Sequence, residues 1–525
     1  MKNRKNLIDQ VVVTANQMRE IEDRILARGM PIAALMEKVA GLIARWIIQH
    51  ISNFKQIGIL VGPGHNGGDA LVVARELYFR GYQVKVYSPF NKYKDLTTRH
   101  LKYVKSLGII CCPDIREFSG CDILLDGIFG FGLKTDIQNP IASVINTINQ
   151  WFIPIISIDI PSGLHTDTGE VLGTAIRANN TLCLGLWKLG LLQEQALDYV
   201  GKTELIDFDI SGTDIQAVLG DMPEIQRITF PKALSILGSP GIPSRYSGSS
   251  LFSHSLITHK YKEGCLLLVC GSQRYAGAAI LTALGARASG VGMLSIAVPE
   301  SLKFLLISHF PEALVIGCPE TNTGAIAKLI LPNNIDINQF DAIACGPGLT
   351  TEVNSVIYQA LESKIPLLMD ADGLNILAKI SGLSLLIKRQ AASVLTPHID
   401  EFGRLFINTS EDRIVSVQTA AKETGAIILL KGARTVISNS KGKTWINPES
   451  TPALARGGSG DILTGLLGGL IAKAAYRNIS LEDIVITAVW WHSQAAILAA
   501  NERTELGVDG TTLANYLTQV IYKYR

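Results

Sequence analysis

The stretch TPALARGGSGDILTG, residues 451–465, places three glycines and an aspartate directly before an apolar run. Glycines allow backbone conformations that other residues avoid and let the chain come close to a ligand. The apolar run at 462–471 predicts a helix, and its free N–H groups and positive dipole end would attract an anion. Asp461 would be misplaced beside a phosphate unless it takes a proton from an attacking hydroxyl. The stretch therefore predicts a phosphate site with a base, although a glycine turn with a helix-capping carboxylate fits this window equally well.

The composition bounds the fold class. The sequence has 525 residues, which is more than one hydrophobic core usually supports, so we expect two domains. Hydrophobic residues make up 47% and charged residues 18%, which is typical of α/β domains with strands buried on both faces. A net charge of +2 provides no overall field for nucleic acid or a membrane surface, and we expect neither as a partner. The eight cysteines lack metal-ligand spacing and predict buried free thiols in a reducing compartment.

Two segments bear on location. The first ten residues are basic, but Asp9 and Gln10 interrupt the apolar run that a secretory signal needs, so we expect a cytoplasmic enzyme. The apolar segment at 484–500 contains His492 and Gln494, which favours a buried core helix over a membrane span.

Strands and helices alternate along the first part of the chain. A capping-box spacing at 14–17 opens a predicted helix, and two more helical runs lie at 70–79 and 97–107. Apolar strands are predicted at 57–61, 84–87, 123–126 and 155–159. This alternation predicts a parallel sheet with helices on both faces.

Proline, glycine and serine accumulate around 209–253, which is linker composition. We place the boundary within 215–250 and assign 1–225 and 226–525 to the two domains. A second alternating pattern follows, with strands predicted at 266–270, 294–298, 342–345, 367–370, 393–395 and 427–430. The absence of a repeat of fixed period excludes a solenoid.

The strand at 57–61 is followed by GPGHNGGD, residues 62–69. Its glycines match the dinucleotide fingerprint in spelling, but no acidic residue ends the next strand to hold a ribose, which argues against an NAD-dependent dehydrogenase. Polar residues instead follow three strands, as Asn66, Asp126 and Asp159. Ligands of parallel sheets bind beyond these strand ends, so we expect the three side chains to converge in one crevice.

Oxygen ligands of the kind offered by Asn66, Asp126 and Ser162 would suit a hard cation. Each of these residues alone could equally cap a helix or close an Asx-turn.

Glycine and polar motifs also punctuate the second half. They are GSxxYxGA at 271–278, CGPGL at 345–349, DADGLN at 370–375, TPHxxEF at 396–402 and LKGA at 430–433.

Several of these residues have two interpretations. Asp370 and Asp372 are interpreted as caps of the following helix rather than as magnesium ligands. His398 could hydrogen-bond a substrate or could be a satisfied loop histidine. Ala278 and Gly348 would allow close backbone approach to a ligand or, equally, to a neighbouring helix.

Taken in order, these motifs resemble two known families. Residues 10–215 resemble the NAD(P)H-hydrate epimerase domain, through GPGxNGGD, DxxFGxG at 126–132 and DIPSG at 159–163. Residues 230–525 resemble the ADP- or ATP-dependent NAD(P)H-hydrate dehydratase. The resemblance implies an N-terminal Rossmann-like three-layer α/β/α domain and a C-terminal ribokinase-like α/β domain.

The resemblance also implies site residues. In the epimerase site the hydrate would contact His65, Asn66, Gly67, Gly68, Asp69, Gly130, Phe131, Gly132, Leu133, Lys134, Thr135, Asp136 and Asp159. A potassium ion (K⁺) would be held by Asn66, Asp126 and Ser162. In the dehydratase site the hydrate would contact Ala278, Gly348, His398 and Asp461, and the nucleotide would contact Lys431, Gly432, Ala433, Arg434, Thr435 and Gly460. The implied partners are the hydrates of NADH and NADPH (NADHX and NADPHX) and ADP or ATP with Mg²⁺. We also expect a homo-oligomer.

The chain departs from the expected epimerase pattern at His65, Ala70 and Phe131, where we expect Asn, Gly and Thr. Phenylalanine cannot replace a hydroxyl, so epimerase activity is a weaker expectation than the fold. At 261 a tyrosine replaces an expected glycine.

Chemistry assigns roles to a few of these residues. Epimerising the hydroxylated carbon needs proton transfer at the hydroxyl, for which Asp159 is the main candidate. Lys188 is a second candidate, although a solvated surface lysine is the simpler interpretation. Hydroxide is a poor leaving group, so dehydration would proceed by phosphorylation, with Asp461 as base and Lys431 on the nucleotide. The alternative is a ribokinase-like small-molecule kinase with a non-catalytic N-terminal binding or oligomerisation domain.

Overall fold

The computed structural model describes residues 2–52, 55–238, 250–252, 258–332, 335–407 and 410–523. The chain divides into two compact units, Met1–Ile225 and Gln226–Arg525.

The first unit is built on a parallel sheet of seven strands, in the order β4-β3-β2-β5-β6-β7-β9. Its strands are β1 (Val12–Val13), β2 (Gln56–Val61), β3 (Gln83–Tyr87), β4 (Ile110–Cys112), β5 (Ile123–Gly127), β6 (Ile155–Ile158), β7 (Asn180–Leu184), β8 (Trp187–Lys188) and β9 (Lys202–Ile206). Its helices are α1 (Lys2–Gln10), α2 (Ala15–Ala27), α3 (Ile32–His50), α4 (His65–Tyr78), α5 (Asp95–Ser106), α6 (Ile141–Ile148), α7 (Leu197–Val200) and α8 (Gly212–Leu219). Separate apolar clusters pack on the sheet, so the predicted α/β architecture is confirmed.

Helix α2 begins as the sequence predicts. The Thr14 hydroxyl accepts a hydrogen bond from the Gln17 amide at 3.2 Å, and the Gln17 side chain accepts one from the Thr14 amide at 2.9 Å. This reciprocal pair satisfies two amides that the helix itself leaves free.

Helix α4 begins five residues before the predicted 70–79 run, so Gly67 and Gly68 lie inside its first turn. A Cβ atom at Gly67 would lie 2.0 Å from the carbonyl oxygen of Gly62. Glycine is therefore required there because the helix start packs onto the preceding loop. The predicted start of this helix at residue 70 was therefore five residues too late.

The second unit contains a ten-stranded sheet in the order β10-β19-β18-β17-β16-β15-β14-β11-β12-β13. Its strands are β10 (Ile225–Arg227), β11 (Cys265–Val269), β12 (Met293–Pro299), β13 (Leu314–Cys318), β14 (Ala342–Cys345), β15 (Leu367–Met369), β16 (Ser393–Leu395), β17 (Ile427–Leu430), β18 (Val436–Ser438) and β19 (Thr444–Ile446). Its helices are α9 (Phe230–Leu237), α10 (Ala276–Ala288), α11 (Lys303–His309), α12 (Ser355–Glu362), α13 (Asp372–Lys379), α14 (Leu383–Ile387), α15 (Ile399–Leu405), α16 (Arg413–Thr424), α17 (Ser459–Ala474), α18 (Leu481–Arg503) and α19 (Gly510–Lys523). Neighbouring strands from β11 to β17 run parallel, whereas β17, β18 and β19 pair antiparallel.

The predicted linker is more ordered than its composition indicated. Helix α8, strand β10 and helix α9 all lie within 209–253, and β10 joins the large sheet. Pro231 sits in the first turn of α9, where proline's missing N–H costs nothing. The prolines and glycines at 239–249 lie outside the described residues.

Helix α17 packs against α10 at backbone distance. A Cβ atom at Gly465 would lie 1.8 Å from the Thr282 carbonyl oxygen, and one at Gly285 would lie 2.1 Å from the Ile462 carbonyl oxygen. These glycines fix the position of α17, the helix that carries Asp461.

The remaining sequence expectations concern burial. All eight cysteines are free thiols, and most of them are buried. The apolar segment at 484–500 lies in α18, which is buried along most of its length. Among the helices described, none combines the length and the apolar character needed to cross a membrane.

Candidate active sites

A cavity of about 510 Å³ opens in the first unit beyond the carboxyl ends of β2, β5 and β6. Most of the predicted epimerase residues line it, namely His65, Asn66, Asp69, Gly130, Phe131, Gly132, Leu133, Asp159 and Lys188. A cavity is therefore present at these strand ends, but Asp126, one of the three side chains expected to converge there, does not line it.

Asp159 and Lys188 form a buried ion pair in this cavity. Their Oδ1 and Nζ atoms are 2.5 Å apart, and both side chains are almost completely buried. Burial is the largest single influence on Lys188 and acts to lower its pKa, but the charge and hydrogen bond of Asp159, with smaller contributions from Cys183 and Glu22, together raise the pKa. The interpretation of Lys188 as a solvated surface lysine was wrong, because β8 carries it into the interior.

Backbone amides hold Asp159 in place. Its Oδ2 accepts from the Phe131 amide at 3.3 Å and its Oδ1 from the Leu184 amide at 3.2 Å. Asp159 itself adopts a φ of 69°, which is uncommon for a residue other than glycine. The Phe131 ring lies 5.8 Å from the Lys188 ammonium, so this substitution brings an aromatic face to the ion pair.

Asp126 and Ser162 are hydrogen-bonded to each other and do not line the cavity. The Ser162 hydroxyl donates to Asp126 Oδ1 at 2.6 Å, and Ser157 and the Ser162 amide donate to Oδ2 at 2.8 and 2.9 Å. Burial raises the pKa of Asp126, and these hydrogen bonds act in the opposite direction. Asn66 Nδ2 lies 3.5 Å from the carbonyl oxygen of Ile158, the last residue of the neighbouring strand β6.

Some predicted residues lie elsewhere. Gly67 and Gly68 are buried in the first turn of α4, whereas Lys134, Thr135 and Asp136 are exposed and do not line the cavity. The chain leaves the cavity after Leu133. A few residues later the Ile137 amide donates a hydrogen bond to the Leu172 carbonyl oxygen at 3.0 Å. A role for these five residues stays a prediction.

The sequence did not identify one wall of the cavity. Arg19, Glu22, Asp23 and Leu26 line it from α2, and Lys94 lines it from the segment before α5. Burial raises the pKa of Glu22 to about 7, while Lys188 lowers it and Asp159 raises it. The pKa of Asp69 is also raised, by burial and by the charges of Asp159 and Glu22.

In the second unit, Asp461 lies in the first turn of α17. The helix follows Gly458, whose φ of 92° is in the left-handed region that favours glycine. Burial raises the pKa of Asp461 to about 6, with Asp370 adding to the rise and Lys431 opposing it. A carboxylate that titrates near neutral pH is suited to accept a proton.

Lys431 and Asp370 form the second cluster of this site. The Lys431 ammonium lies 2.7 Å from Asp370 Oδ1, and the Thr464 hydroxyl donates to Oδ2 at 2.6 Å. A Cβ atom at Gly460 would lie 3.6 Å from the Lys431 ammonium, so the glycine-rich backbone passes close to the lysine. Burial acts to lower the pKa of Lys431, but the charges of Asp370 and Glu401 and the hydrogen bond to Asp370 together raise it above its usual value.

The predicted helix caps at 370 and 372 were wrong. Helix α13 begins at Asp372, and its N-cap is Ala371 with no side-chain cap. The carboxylate of Asp370 instead pairs with Lys431, and Asp372 Oδ2 accepts from the Thr350 amide at 2.9 Å. Asp370 belongs to the charge cluster because its strand, β15, ends between β14 and β16.

His398 is the N-cap of α15. Its Nδ1 atom accepts from the Asp400 amide at 3.2 Å, and its Nε2 atom lies 3.4 Å from Glu401 Oε1. Glu401 in turn lies 3.9 Å from Lys431, so His398 is linked to the cluster. Its side chain is 46% exposed, which leaves part of the ring open to a ligand.

Ala278 and Gly348 are neighbours. A Cβ atom at Gly348 would lie 2.9 Å from the Ala278 Cβ atom, and Gly348 has a φ of 67°. Gly346, two residues earlier, contacts the Asp370 carbonyl group closely enough to exclude a side chain. The hydrate residues predicted in this unit therefore adjoin the Asp370 cluster.

The predicted nucleotide residues form the connection between β17 and β18. They are Lys431, Gly432, Ala433, Arg434 and Thr435, and the Thr435 hydroxyl donates to the Gly432 carbonyl oxygen at 3.1 Å. The Ser450 hydroxyl donates to the Ala433 carbonyl oxygen at 2.8 Å, which ties this turn to the segment before the glycine-rich stretch.

His492 is a further residue that sequence reasoning missed. It is buried in α18, and its Nε2 atom lies 2.9 Å from the carbonyl oxygen of Ser459, at the start of the Asp461 helix. Burial lowers its pKa to about 4, so the ring is neutral and donates this hydrogen bond. The only signal in the sequence was a histidine inside an apolar helix.

In the first unit the Asp159 carboxylate pairs with the buried Lys188, and in the second unit the charge of Lys431 acts on the pKa of Asp461. Residues 266–519 match the family model described as NAD(P)H-hydrate dehydratase, and residues 32–190 match the model described as YjeF-related protein N-terminus. These are the two families that the motifs resemble.

Relatives match almost the whole chain. It is 49% identical over 511 residues to the bifunctional NAD(P)H-hydrate repair enzyme Nnr of Synechocystis sp., covering 97% of this chain and 94% of that one. It is 47% identical over 504 residues to the enzyme of the same name from Thermosynechococcus vestitus, covering 95% and 94%. A crystal structure of the ADP/ATP-dependent NAD(P)H-hydrate dehydratase from Bacillus subtilis, co-crystallised with ATP/Mg²⁺, is 29% identical, covers 52% of this chain and 94% of that chain, and has a TM-score of 0.44. The chain belongs to the family of bifunctional NAD(P)H-hydrate repair enzymes.

Proposed function

We propose that this chain repairs hydrated NADH and NADPH in two steps. The first unit interconverts the R and S epimers of the hydrate, and the second unit dehydrates the S epimer with ADP or ATP as phosphoryl donor. The observation that carries the proposal is the position of Asp461 in the first turn of a glycine-led helix, coupled to the Lys431–Asp370 pair.

The dehydration follows from this geometry. Asp461 takes the proton of the ring hydroxyl, and the oxygen attacks the terminal phosphorus of the nucleotide. The bond from that phosphorus to its bridging oxygen breaks, and AMP leaves when the donor is ADP, or ADP when the donor is ATP. Amides of the glycine-led helix start and the Lys431 ammonium stabilise the charge on the transferring phosphoryl group. The ring nitrogen then supplies its lone pair, the C–O bond breaks and phosphate leaves. Loss of a proton from the adjacent carbon restores the dihydronicotinamide.

We propose that the nucleotide lies along Lys431, Gly432, Ala433, Arg434, Thr435 and Gly460, and that the hydrate lies against Ala278, Gly348 and His398. Mg²⁺ would neutralise charge on the phosphates. Asp370 is a poor ligand for it, because both of its oxygens are engaged by Lys431 and Thr464. Mg²⁺ would therefore be held mainly by the nucleotide, as in many phosphoryl-transfer sites.

In the first unit, Asp159 is proposed as the acid–base group that acts on the hydroxyl, held in place by Lys188 and two backbone amides. His65, Asn66, Asp69, Gly130, Phe131, Gly132 and Leu133 would contact the hydrate in the cavity. Gly67 and Gly68 would shape it from beneath, and Lys134, Thr135 and Asp136 would reach the outer part of the nucleotide.

A potassium ion is proposed near Asp126. This carboxylate is completely buried, and the contacts described for it are hydroxyl and amide groups without a positive charge. A buried carboxylate with neutral partners fits a monovalent cation, with Ser162 and Asn66 as further oxygen ligands. Epimerisation rates in potassium, sodium and choline chloride would test the site. Equal rates in all three salts would refute it.

The two activities can be tested separately on the full chain. A mixed-epimer hydrate is incubated with ADP or with ATP, and recovery of dihydronicotinamide absorbance is followed. Complete recovery is expected, whereas recovery that halts near half of the material would show a first unit without epimerase activity. A stable phosphorylated product would indicate a kinase instead. Asp461→Asn should abolish recovery in either nucleotide while leaving R-to-S conversion unchanged.

The expected homo-oligomer and cytoplasmic location stay predictions. Sedimentation of the purified chain and fractionation of cells would test them.

A further inference from the structure

The cavity of the first unit has an acidic residue with no assigned part in the reaction. Glu22 lines it from α2, together with Arg19, Asp23 and Leu26. The spacing 19, 22, 23, 26 places these four residues on one face of the helix. The helix is anchored by Met18 and Ile21, which are completely buried in the apolar core. Glu22 is therefore held at the cavity by the packing of its helix.

Glu22 is not neutralised by a close basic group. Lys188 forms its ion pair with Asp159 at 2.5 Å and also donates to the Leu184 carbonyl oxygen. Within the described part of the chain, no ion pair within 4.0 Å engages the Glu22 carboxylate. The charged groups around it are Lys188 and Arg19, which favour its ionised form, and Asp159, Asp23 and Asp69, which oppose it.

Inversion at the hydroxylated carbon needs acid–base groups in two places. If the hydroxyl leaves from one face of the ring as water, a second water must attack the planar cation from the other face. One group has to donate a proton to the leaving oxygen while another accepts a proton from the attacking water. Asp159 is fixed by three contacts and cannot move from one face to the other.

We propose that Glu22 is the second catalytic acid–base group of the epimerase site and works with Asp159 across the nicotinamide ring. This inference rests on the proposed function. In one direction the Glu22 carboxylic acid protonates the ring hydroxyl, and the C–O bond breaks as the nitrogen lone pair forms a C=N bond. Water then attacks the opposite face and gives a proton to Asp159, while the electron pair returns to nitrogen. The reverse conversion uses the same two groups with their roles exchanged, and no co-reactant besides water is needed.

The environment of Glu22 suits this role. Burial, Asp159 and Asp23 together raise its pKa to about 7 despite Lys188, so both protonation states are populated near neutral pH. Asp159 differs from Glu22 in being paired with the Lys188 ammonium. Two carboxyl groups in different environments are therefore available in one cavity.

The test uses the full chain and a purified R hydrate without ADP or ATP, with conversion to the S epimer followed by chromatography. Glu22→Gln should lower the enzymatic rate by ~10²- to 10⁴-fold after subtraction of the spontaneous rate. The wild-type rate should fall as pH rises above about 7, because the acid form of Glu22 is lost. The residual rate of Glu22→Gln should not show this decrease with rising pH.

Two controls separate the outcomes. Glu20→Gln changes an exposed glutamate on the same helix that does not line the cavity, and it should leave the rate within about threefold. The thermal transition of Glu22→Gln at pH 8 should equal or exceed that of wild type, because a half-buried charge has been removed. If Glu22→Gln epimerises as fast as an active wild-type chain, the role of Glu22 is overturned but the proposed epimerase function stands. A wild-type chain without epimerase activity overturns both this role and the proposed epimerase function.

Discussion

The ammonium of Lys431 lies 2.7 Å from Oδ1 of Asp370. This contact joins the ends of two strands that are separated by one strand in the sheet, β15 and β17. It also places a positive charge next to Asp461 without neutralising it, because the lysine's close partner is Asp370. The carboxylate of Asp461 thereby stays available to accept a proton.

Removing this lysine should affect stability as well as catalysis. Lys431→Met leaves the almost completely buried Asp370 without its counter-charge, which should reduce the free energy of unfolding by ~3 kcal/mol. The double variant with Asp370→Asn should recover part of the loss, since the unpaired charge is then gone. Thermal or urea unfolding measures both. If Lys431→Met is as stable as wild type, the ion pair between Lys431 and Asp370 does not contribute to stability.

Asp461 should give the dehydratase a pH-dependent rate. The pKa of its carboxyl group is raised from 3.8 to about 6, and only the ionised form accepts a proton. We expect kcat/KM for the S hydrate to rise as pH increases through about 6 and to level off above it. Rate measurements between pH 5 and 8 test this, and a profile flat across that range would exclude Asp461 as the base.

The raised pKa of Asp461 also means that its ionised carboxylate destabilises the folded chain at neutral pH. Its folded-state pKa lies above the unfolded value, so the folded chain binds the proton more tightly between pH 4 and 6. The stability contributed by this group is therefore present at low pH and lost as pH rises through about 6. At pH 8, Asp461→Asn should be more stable by roughly 1–3 kcal/mol although it is inactive. At pH 4 the two proteins should unfold at similar denaturant concentrations, and a gain of equal size at both pH values would contradict the assignment.

The hydrogen bond from His492 to Ser459 should position the start of α17. His492→Leu leaves the carbonyl oxygen of Ser459 without this donor, which should cost about 1 kcal/mol and lower kcat more than it changes KM for the nucleotide. His492→Gln can donate from its amide and should restore part of kcat. Equal kcat values for the Leu and Gln variants would indicate that the ring only fills space.

Close packing of α17 on α10 gives another prediction. Gly465→Ala places a methyl group 1.8 Å from the Thr282 carbonyl oxygen, so α17 must shift and dehydratase activity should be lost together with several kcal/mol of stability. The matched control is Gly403→Ala in α15, where a Cβ atom meets nothing within 4 Å. That change should be neutral or stabilising by up to ~1 kcal/mol. Similar unfolding midpoints for the two variants would refute the close approach.

The sequence predicted features that depend on local patterns. Apolar runs located the central strands of both sheets, and the glycine-rich stretch correctly predicted the helix that begins near Asp461. Asp159 and Asp461 were identified because they sit at strand or helix ends, where ligands bind in parallel sheets.

Features that depend on distant contacts were not predictable. Glu22 and His492 lie on helices far along the chain from Asp159 and Asp461, and nothing near them in the sequence indicates that Glu22 lines the cavity or that His492 bonds to Ser459. Lys188 was expected in solvent, because burial of a lysine is favourable only with a partner such as Asp159. The three-residue strands β4, β18 and β19 were not predicted, although the equally short β15 and β16 were.

The backbone contact between α10 and α17 also constrains how the sequence can change over evolutionary time. In most of a protein core, a larger side chain can be offset by a smaller neighbour, and lineages drift among such combinations. At Gly285 and Gly465 the neighbour is a carbonyl group, which no second substitution can shrink. Related sequences should therefore keep glycine at these two positions. The helix that carries Asp461 should keep its position while the side chains beside it change.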